Sequence, residues 1–361
     1  MPLNFTVAVF VLYLSAIPML IASLLSFLHY RKTGYRYALY MMLAWLFLAL
    51  WCIGEGTAHL FLSPFIYRLG MYAMIPVGFS LILLVDHLSK ESVDPTKMTI
   101  LGAISAYIVF SSLDPNNIVL FQFANKETGI VLAGHFLYAQ SALNIFLGFL
   151  TIYYFAKIFL NSPKNLKLYS GLFLFSAILM GIVPMILIAI KFYLYAPAIN
   201  ALLVGISTIL ITIILILQPK LAYILPFKAS KITIIETNGG LTLFSYTWLE
   251  GEVLVDDELF AGMIHGISML FEESFKKNIR EINMLKAVLI LEKAEGVPIA
   301  CILISNKTSK SLRNALNSFC KKFTEQFSQE IKRFGVGGET SPFNTASELV
   351  LQCFPFIPEY D

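Results

Sequence analysis

Three ionisable side chains lie in or beside long apolar runs, where such groups are costly and therefore mark candidate sites. Glu55 and His59 are four residues apart, so a helix places them on one face, near its outer end. His135 enters a later apolar run from the same side. Together they predict an outward-facing polar pocket for a small ligand, a proton or, as the least favoured option, a metal ion. The alternative is that Glu55 and His59 simply pair with each other at the membrane interface.

The composition sets the class of protein that holds these residues. The chain has 361 residues, of which 57% are hydrophobic and 14% charged, whereas about 25% are charged in an ordinary soluble domain. Residues 1–218 hold 11 Lys and Arg and 6 Asp and Glu, and residues 219–361 hold 15 and 17. These figures exclude a disordered chain, a collagen-like fibre, a coiled coil and a simple soluble enzyme. They predict a membrane protein with a soluble tail.

Seven apolar runs have about the length of a membrane-spanning helix, which needs roughly 20 residues. They predict an all-α seven-helix transmembrane bundle within residues 1–218, formed by residues 6–28, 37–61, 66–88, 97–113, 131–157, 167–190 and 195–217. Between and beside the runs, eleven Lys and Arg fall on one side and three on the other. Because Lys and Arg stay on the cytoplasmic side, we expect the N-terminus outside the cell membrane and the tail in the cytoplasm.

Other polar residues at helical spacing are interpreted as packing contacts between helices rather than as a transport path. Two such faces occur, one formed by Gln140, Asn144 and Gly148 and one by Asn200, Thr208 and Thr212. A pump or channel usually carries charged residues at mid-depth in several helices, and this sequence has almost none. Asp86 and His87, at the end of the third run, are expected to be interfacial residues and not a proton relay.

The apolar block resembles a known signalling module. The resemblance rests on the run from Ala44 to Trp51 with Gly54-Glu55, a short outer turn, and a third span that contains Pro76 and closes on Asp86-His87-Leu88. These features are similar to the seven-transmembrane sensor module at the N-terminus of many prokaryotic histidine kinases and related signalling proteins. The resemblance covers about residues 5–218, mostly as hydropathy and helix order. It implies a sensor of a small signal.

The tail changes to a pattern of short strands and amphipathic helices after a linker at 219–230. Strands are predicted at 232–236 and 241–248, with Asn238-Gly239-Gly240 as the turn of a hairpin. A helix from Asp256 or Asp257 to about 277 follows, then strands at about 279–284, 286–292 and 298–304 and a helix from Thr308 or Ser309 to about 332. This order predicts an α+β domain, a five-stranded antiparallel sheet with two main helices on one face or flanking it.

That order resembles the longin and roadblock superfamily over about residues 231–332. The phrases that carry the resemblance run from Ile234 to Tyr246 and from Gly296 to Ile304. It implies a non-catalytic domain that forms homodimers or platforms on which small Ras-like GTPases are held or regulated. The remaining stretch, 333–361, is expected to contain a short helix at 344–353 and to dock on this domain. The alternative for that stretch is a peptide motif for a partner.

The sequence offers no arrangement for catalysis, so we expect no enzyme activity and no cofactor. His265 is the sole histidine of the tail and lies on a helix with apolar neighbours. The whole chain has four cysteines, and their spacing does not suit a metal site, so no metal is expected. They are Cys52, Cys301, Cys320 and Cys353. Nucleic-acid binding is not expected of a tail with 15 basic and 17 acidic residues.

These features predict a membrane receptor that relays a small-molecule or membrane signal to a cytoplasmic longin/roadblock-like platform. The expected partners are the lipid bilayer, a small Ras-like GTPase or another cytosolic signalling protein, and a second copy of the chain. Two alternatives remain open. One is a constitutive membrane anchor or assembly platform that senses no ligand, and the other is a transporter with a regulatory tail.

Overall fold

A computed structural model describes residues 3–90, 92–122, 128–189, 196–237, 239–249, 259, 261–267, 280–285, 287–294, 296–337 and 340–358. The chain divides into two compact units, Met1–Ala222 and Tyr223–Asp361. We call them the membrane unit and the soluble unit and describe each by itself.

The membrane unit consists of apolar helices and one short hairpin. Its helices are α1 (Val7–Thr33), α2 (Arg36–Phe61), α3 (Pro64–Tyr72), α4 (Met74–Lys90), α5 (Pro95–Ser112), α6 (Gly134–Asn161), α7 (Lys167–Ala189) and α8 (Ala196–Leu217). Strands β1 (Ile118–Gln122) and β2 (Thr128–Leu132) pair antiparallel between α5 and α6. We call the end of the unit that carries this hairpin the hairpin end.

Six helical segments in the described residues are long and apolar enough to cross a membrane, not the seven predicted. They are Val7–Thr33, Arg36–Phe61, Pro64–Lys90, Gly134–Asn161, Lys164–Val183 and Ala198–Leu217. The predicted run 97–113 does form helix α5, of 18 residues. At about 1.5 Å per residue this helix spans roughly 27 Å, less than the hydrocarbon core of about 30 Å. It also contains Lys97 and ends in two serines, which lower its apolar content.

Helix ends in this unit follow local sequence. The Thr6 hydroxyl accepts a hydrogen bond from the Val9 amide at 3.3 Å and begins α1. Gly34 ends that helix with a φ of 71°, a conformation that costs glycine little. Asp94 begins α5 by accepting a hydrogen bond from the Thr96 amide at 3.0 Å. These are ordinary capping residues, and they set where α1 and α5 begin and where α1 ends.

Small residues allow the helices to approach closely. A Cβ atom at Gly54 of α2 would lie 2.7 Å from the Cα of Gly70 in α3, so the two backbones touch at this crossing. On the opposite side of α2, the indole Nε1 of Trp45 donates a hydrogen bond to the Thr212 hydroxyl of α8 at 2.9 Å. Contacts of these two kinds join helices where no water separates them.

The soluble unit contains the predicted five-stranded antiparallel sheet. Its strands are β3 (Ala229–Glu236), β4 (Thr242–Thr247), β5 (Glu281–Asn283), β6 (Val288–Lys293) and β7 (Ile299–Ser305), in the spatial order β4-β3-β7-β6-β5. Its helical segments are α9 (described over 261–267), α10 (Lys310–Gln326), α11 (Ser328–Gly337) and α12 (Ala346–Cys353). The rest of the helix predicted from 256 to 277, and Asn238 of the predicted turn, lie outside the described residues.

Helices flank the sheet on both faces. On one face Ala261 and Ile264 of α9 pack with a row of sheet residues: Ile235, Leu289, Leu291, Ala300 and Ile302. On the other face α10 lies over β6, where the Asn317 amide donates to the Glu292 carboxylate at 3.3 Å. Ser309 begins α10 by accepting a hydrogen bond from the Leu312 amide at 3.0 Å. The helix predicted to reach 332 ends at Gln326, and α11 follows.

The C-terminal stretch packs into the soluble unit. Phe354 and Phe356 are buried. The ring of Phe354 lies 5.8 Å from that of Phe319 in α10, and the ring of Phe356 lies 4.9 Å from that of Tyr223. The segment therefore forms part of an aromatic core together with the residues just before β3.

Candidate functional site

Glu55 is the described carboxylate whose environment most requires explanation. It lies in α2 and is 2% exposed. Its Oε2 has no hydrogen-bond partner among the described residues. A carboxylate oxygen that loses water without gaining a donor carries a large desolvation cost, which falls when the group takes up a proton or binds a ligand. Glu55 is therefore a candidate binding position.

His59 lies one helical turn after Glu55 and is held by two neighbours. Its Nδ1 accepts a hydrogen bond from the Ile130 amide of β2 at 3.4 Å. Its ring meets that of Tyr67 edge to face, with the centroids 5.8 Å apart. A Cβ atom at Gly70, about one helical turn after Tyr67, would lie 3.2 Å from the Glu55 backbone nitrogen. The structure thus brings Glu55, His59 and Tyr67 together, and it contains no ion pair between Glu55 and His59.

His135 has other neighbours. It is exposed in the first turn of α6, and its Nδ1 lies 2.9 Å from the Tyr107 hydroxyl of α5. The Tyr138 ring, on α6 itself, lies 6.3 Å from the imidazole. No hydrogen bond, ion pair or ring contact between described residues joins His135 to Glu55 or His59. A pocket shared by all three residues stays a prediction.

Apolar runs alone do not indicate the segments that cover the end of α2. The Asn4 side-chain amide donates to the His59 carbonyl at 3.1 Å and to the Thr128 carbonyl of β2 at 2.8 Å. The Asn4 backbone amide donates to the Leu60 carbonyl at 2.9 Å. The β-branched and aromatic residues within 118–122 and 128–132 could have indicated the hairpin.

Further buried polar atoms without a hydrogen-bond partner lie in the half of the membrane unit nearer the hairpin end. They are Trp51 Nε1, Arg68 Nε, Ser105 Oγ, Gln140 Oε1 and Asn200 Oδ1, on α2, α3, α5, α6 and α8 respectively. Buried polar groups are normally satisfied, so several orphans in one part of the unit indicate places where water or a ligand binds. With Glu55 they define the candidate site, which we call the polar layer.

The residues of the two predicted packing faces therefore have two different roles. Thr212 of α8 accepts the hydrogen bond from Trp45 and itself donates to the Thr208 carbonyl at 2.7 Å, which is packing as expected. Gln140 and Asn200, on the same two predicted faces, each retain an unpaired oxygen. Thr212 joins α8 to α2, the Thr208 hydroxyl donates within α8 to the Gly205 carbonyl, and the amides belong to the polar layer.

Asp86 is 1% exposed and so is buried by its neighbours, while its predicted position at the membrane interface stays a prediction. Its carboxylate forms an ion pair with Lys97 of α5 and accepts a hydrogen bond from the Asp94 amide at 2.6 Å. The hydrogen bond from Lys90 to Asp94, 3.1 Å long, holds the pKa of Asp94 below its ordinary value. This cluster lies at the far end from the hairpin and is fully paired, which fits a structural role.

The soluble unit has no such orphaned carboxylate among its described residues. His265 packs against the β3–β4 turn, since a Cβ atom at Gly240 would lie 3.0 Å from the His265 Cβ. No group of three or more His, Cys, Asp or Glu within the described part of the chain could hold a metal ion. Cys301 and Cys320 are buried as free thiols.

The six apolar helical segments and the C-terminal antiparallel sheet define a multi-pass membrane protein with an α+β unit. Comparisons of the chain with protein-family models, with curated proteins and with solved structures found no match.

Proposed function

We propose that the protein is a membrane sensor that binds a small ligand or a proton at Glu55. In this proposal it relays the bound state through α2 and α8 to the soluble unit, which holds a cytoplasmic signalling partner. One observation carries the proposal. Helix α2 bears both the unpartnered Glu55 and the hydrogen bonds that connect it to α8.

The relay rests on two contacts at different depths. Trp45 donates to Thr212 at 2.9 Å, and the Tyr37 hydroxyl donates to the Leu215 carbonyl at 3.4 Å. Trp45 lies ten residues before Glu55, roughly 15 Å along the helix. Leu215 lies in the last turn of α8, and the chain continues from there through 219–223 to β3. A shift of α2 on ligand binding would therefore act on α8 near the start of the soluble unit.

We further propose that α5 crosses the bilayer with the six apolar segments, which gives seven crossings. Near its start α5 is bonded to Asp86 through Lys97, and at its end the Ser112 hydroxyl lies 2.5 Å from that of Tyr72. Tyr72 and Asp86 belong to one apolar segment and are about 21 Å apart along it. Seven crossings, with Lys and Arg gathered on one side, would place the soluble unit in the cytoplasm.

The partner that we propose is a small Ras-like GTPase. The chain order of two strands, a helix, three strands and a helix supports the longin/roadblock resemblance, which implies such partners and a homodimer. Short β5 lies at one edge of the sheet, where it can pair with another chain. Beside it Met284 and Leu285 are 47% and 99% exposed, so two consecutive apolar side chains face solvent next to this edge.

The test uses the full chain in phosphatidylcholine nanodiscs and the small GTPases of its source organism, loaded with GDP or a non-hydrolysable GTP analogue. We expect nucleotide-dependent binding to at least one GTPase. Glu55→Gln removes the ionisable group while keeping the side chain's shape, so it should shift that affinity several-fold. Asp114→Asn, an exposed carboxyl at the hairpin end, is the matched control and should leave it unchanged.

The outcomes separate the parts of the proposal. If no GTPase binds in either nucleotide state, the partner assignment is wrong. If a GTPase binds equally to wild type and to Glu55→Gln across pH 5–8, the sensing role is wrong and the constitutive anchor is the better description.

A further inference from the structure

The soluble unit contains a cleft between α10 and strand β6 that neither the fold nor the proposed function explains. Its volume is about 510 Å³, within the range of small-molecule sites. Its polar lining comprises Arg280 and Glu292 from the sheet side and Arg313, Asn314, Asn317, Ser318 and Lys321 from α10. We propose that this cleft binds a phosphate-bearing ligand through Arg280 and Lys321.

The charge of the cleft is opposite to that of the segment around it. Residues 219–361 hold 15 Lys and Arg and 17 Asp and Glu. The lining of the cleft holds three cations and a single carboxylate. A local excess of positive charge on an acidic background concentrates anions at that place.

Two of the charged groups are already engaged. Arg313 forms an ion pair with Glu281 and also donates to the Thr308 hydroxyl at 3.2 Å. Glu292, the carboxylate of the lining, accepts a hydrogen bond from Asn317 at 3.3 Å. These contacts fix the wall of the cleft, and one oxygen of Glu292 is occupied by the Asn317 amide although the carboxylate keeps its charge.

Arg280 and Lys321 remain available. Both are exposed, and neither has a hydrogen bond or ion pair to a described residue. Arg280 is anchored through its backbone, whose carbonyl accepts a hydrogen bond from the Leu291 amide at 2.9 Å. A guanidinium matches the fork of phosphate oxygens, and an ammonium adds a mobile point charge, so the pair suits a phosphate group.

The spacing along α10 indicates the size of the ligand. Arg313, Asn317 and Lys321 lie four residues apart in succession and so share one face of the helix. Eight residues at 1.5 Å each give roughly 12 Å from the first to the last. This is the length of the cleft wall on α10, along which Asn314 and Asn317 offer polar groups beside Lys321, so the wall suits a diphosphate or a phosphate ester with a further polar group. Such a group can belong to a soluble metabolite or to a lipid headgroup.

The experiment measures pyrophosphate binding by calorimetry on the full chain in phosphatidylcholine nanodiscs. We expect saturable binding that Arg280→Gln and Lys321→Gln each weaken about tenfold, as the loss of one charge-assisted hydrogen bond predicts. Lys322→Gln is the matched control, because Lys322 is the next residue of α10, is exposed and does not line the cleft. Each variant's thermal unfolding midpoint is recorded to confirm folding.

A second arm distinguishes the sources of the phosphate. Nanodiscs that contain phosphatidic acid lower the apparent pyrophosphate affinity if a lipid headgroup reaches the cleft, and leave it unchanged if the ligand is soluble; either result supports the proposal. The proposal is overturned if pyrophosphate does not bind in any nanodisc, if Lys322→Gln weakens binding as much as Lys321→Gln, or if an acidic poly-glutamate peptide binds at the cleft more tightly. These results do not depend on Glu55 or on a GTPase.

Discussion

Trp45 and Thr212 join α2 to α8 by a buried hydrogen bond of 2.9 Å from the indole nitrogen to the hydroxyl. Trp51 lies on the same helix and is also buried, but its indole nitrogen has no hydrogen-bond partner in the described structure. The two tryptophans therefore occupy comparable surroundings and differ in whether their polar atom is satisfied.

This difference predicts unequal effects of the same substitution. Trp45→Phe removes a made hydrogen bond and should cost about 1 kcal/mol beyond the loss of ring volume. Trp51→Phe removes an unsatisfied donor, which should partly offset the loss of stability caused by the smaller ring. The measurement is the thermal unfolding midpoint of each variant in nanodiscs. Equal losses for the two variants would contradict this account of the bond.

The crossing of α2 and α3 makes a second prediction. Gly54→Ala would place a Cβ atom 2.7 Å from the Gly70 Cα, so the helices must separate. We expect a loss of about 1–3 kcal/mol, the usual cost of overpacking. Thermal unfolding in nanodiscs measures it.

Gly102→Ala is the control for that substitution. It lies in α5, and a Cβ atom there meets no heavy atom within 4 Å. Alanine favours a helix over glycine by up to about 1 kcal/mol. The control should be neutral or slightly stabilising, and a comparable loss at both glycines would mean that the close approach of Gly54 to Gly70 is not the cause of the loss.

Sequence reasoning succeeded where one local pattern determines the element. Apolar runs located the helices, and the change to short alternating runs located the strands of the sheet, because burial imposes these periods directly. It failed where the outcome depends on the rotation or length of an element. Burial of Asp86 against Lys97 requires α4 and α5 to face each other, which hydropathy does not specify.

The candidate site was predicted in part for the same reason. The four-residue spacing was enough to place Glu55 and His59 on one face of α2. It could not give His59 its contact with Ile130, because the β1–β2 hairpin folds back over that helix from more than 70 residues later in the chain. The neighbours of His135 likewise depend on how α5 and α6 rotate.

The Asp86–Lys97 pair makes a third prediction. Asp86 is 1% exposed and Lys97 13%, so Lys97→Met leaves a buried carboxylate without its countercharge. We expect a loss of about 3–5 kcal/mol in the free energy of unfolding. Lys90→Met is the control, because the Lys90 side chain is 44% exposed in its pair with Asp94. That change should cost less than about 1 kcal/mol.

Adding Asp86→Asn to Lys97→Met tests the cause of the loss. The neutral amide removes the uncompensated charge, so the double variant should recover much of the stability lost in Lys97→Met. The comparison is made by denaturing wild type, Lys97→Met, Lys90→Met and the double variant in matched nanodiscs. If the double variant is less stable than the single one, packing around Lys97, and not charge, is what the substitution disturbs.

The cysteines of the soluble unit make a fourth prediction, on chemical reactivity. Burial raises the pKa of the Cys301 thiol on β7 and also that of Cys353 at the end of α12. Because the thiolate is the reactive form, a raised pKa slows alkylation at neutral pH.

Cys301 and Cys320 are buried between the sheet and α10, whereas Cys353 is partly exposed. We expect iodoacetamide to modify Cys353 slowly, and Cys301 and Cys320 only when the unit unfolds. Mass spectrometry of timed samples, with and without denaturant, measures the three rates. Modification of Cys301 as fast as Cys353 in the folded protein would mean that the layer of α10 on the sheet opens readily, because its thiol is otherwise enclosed.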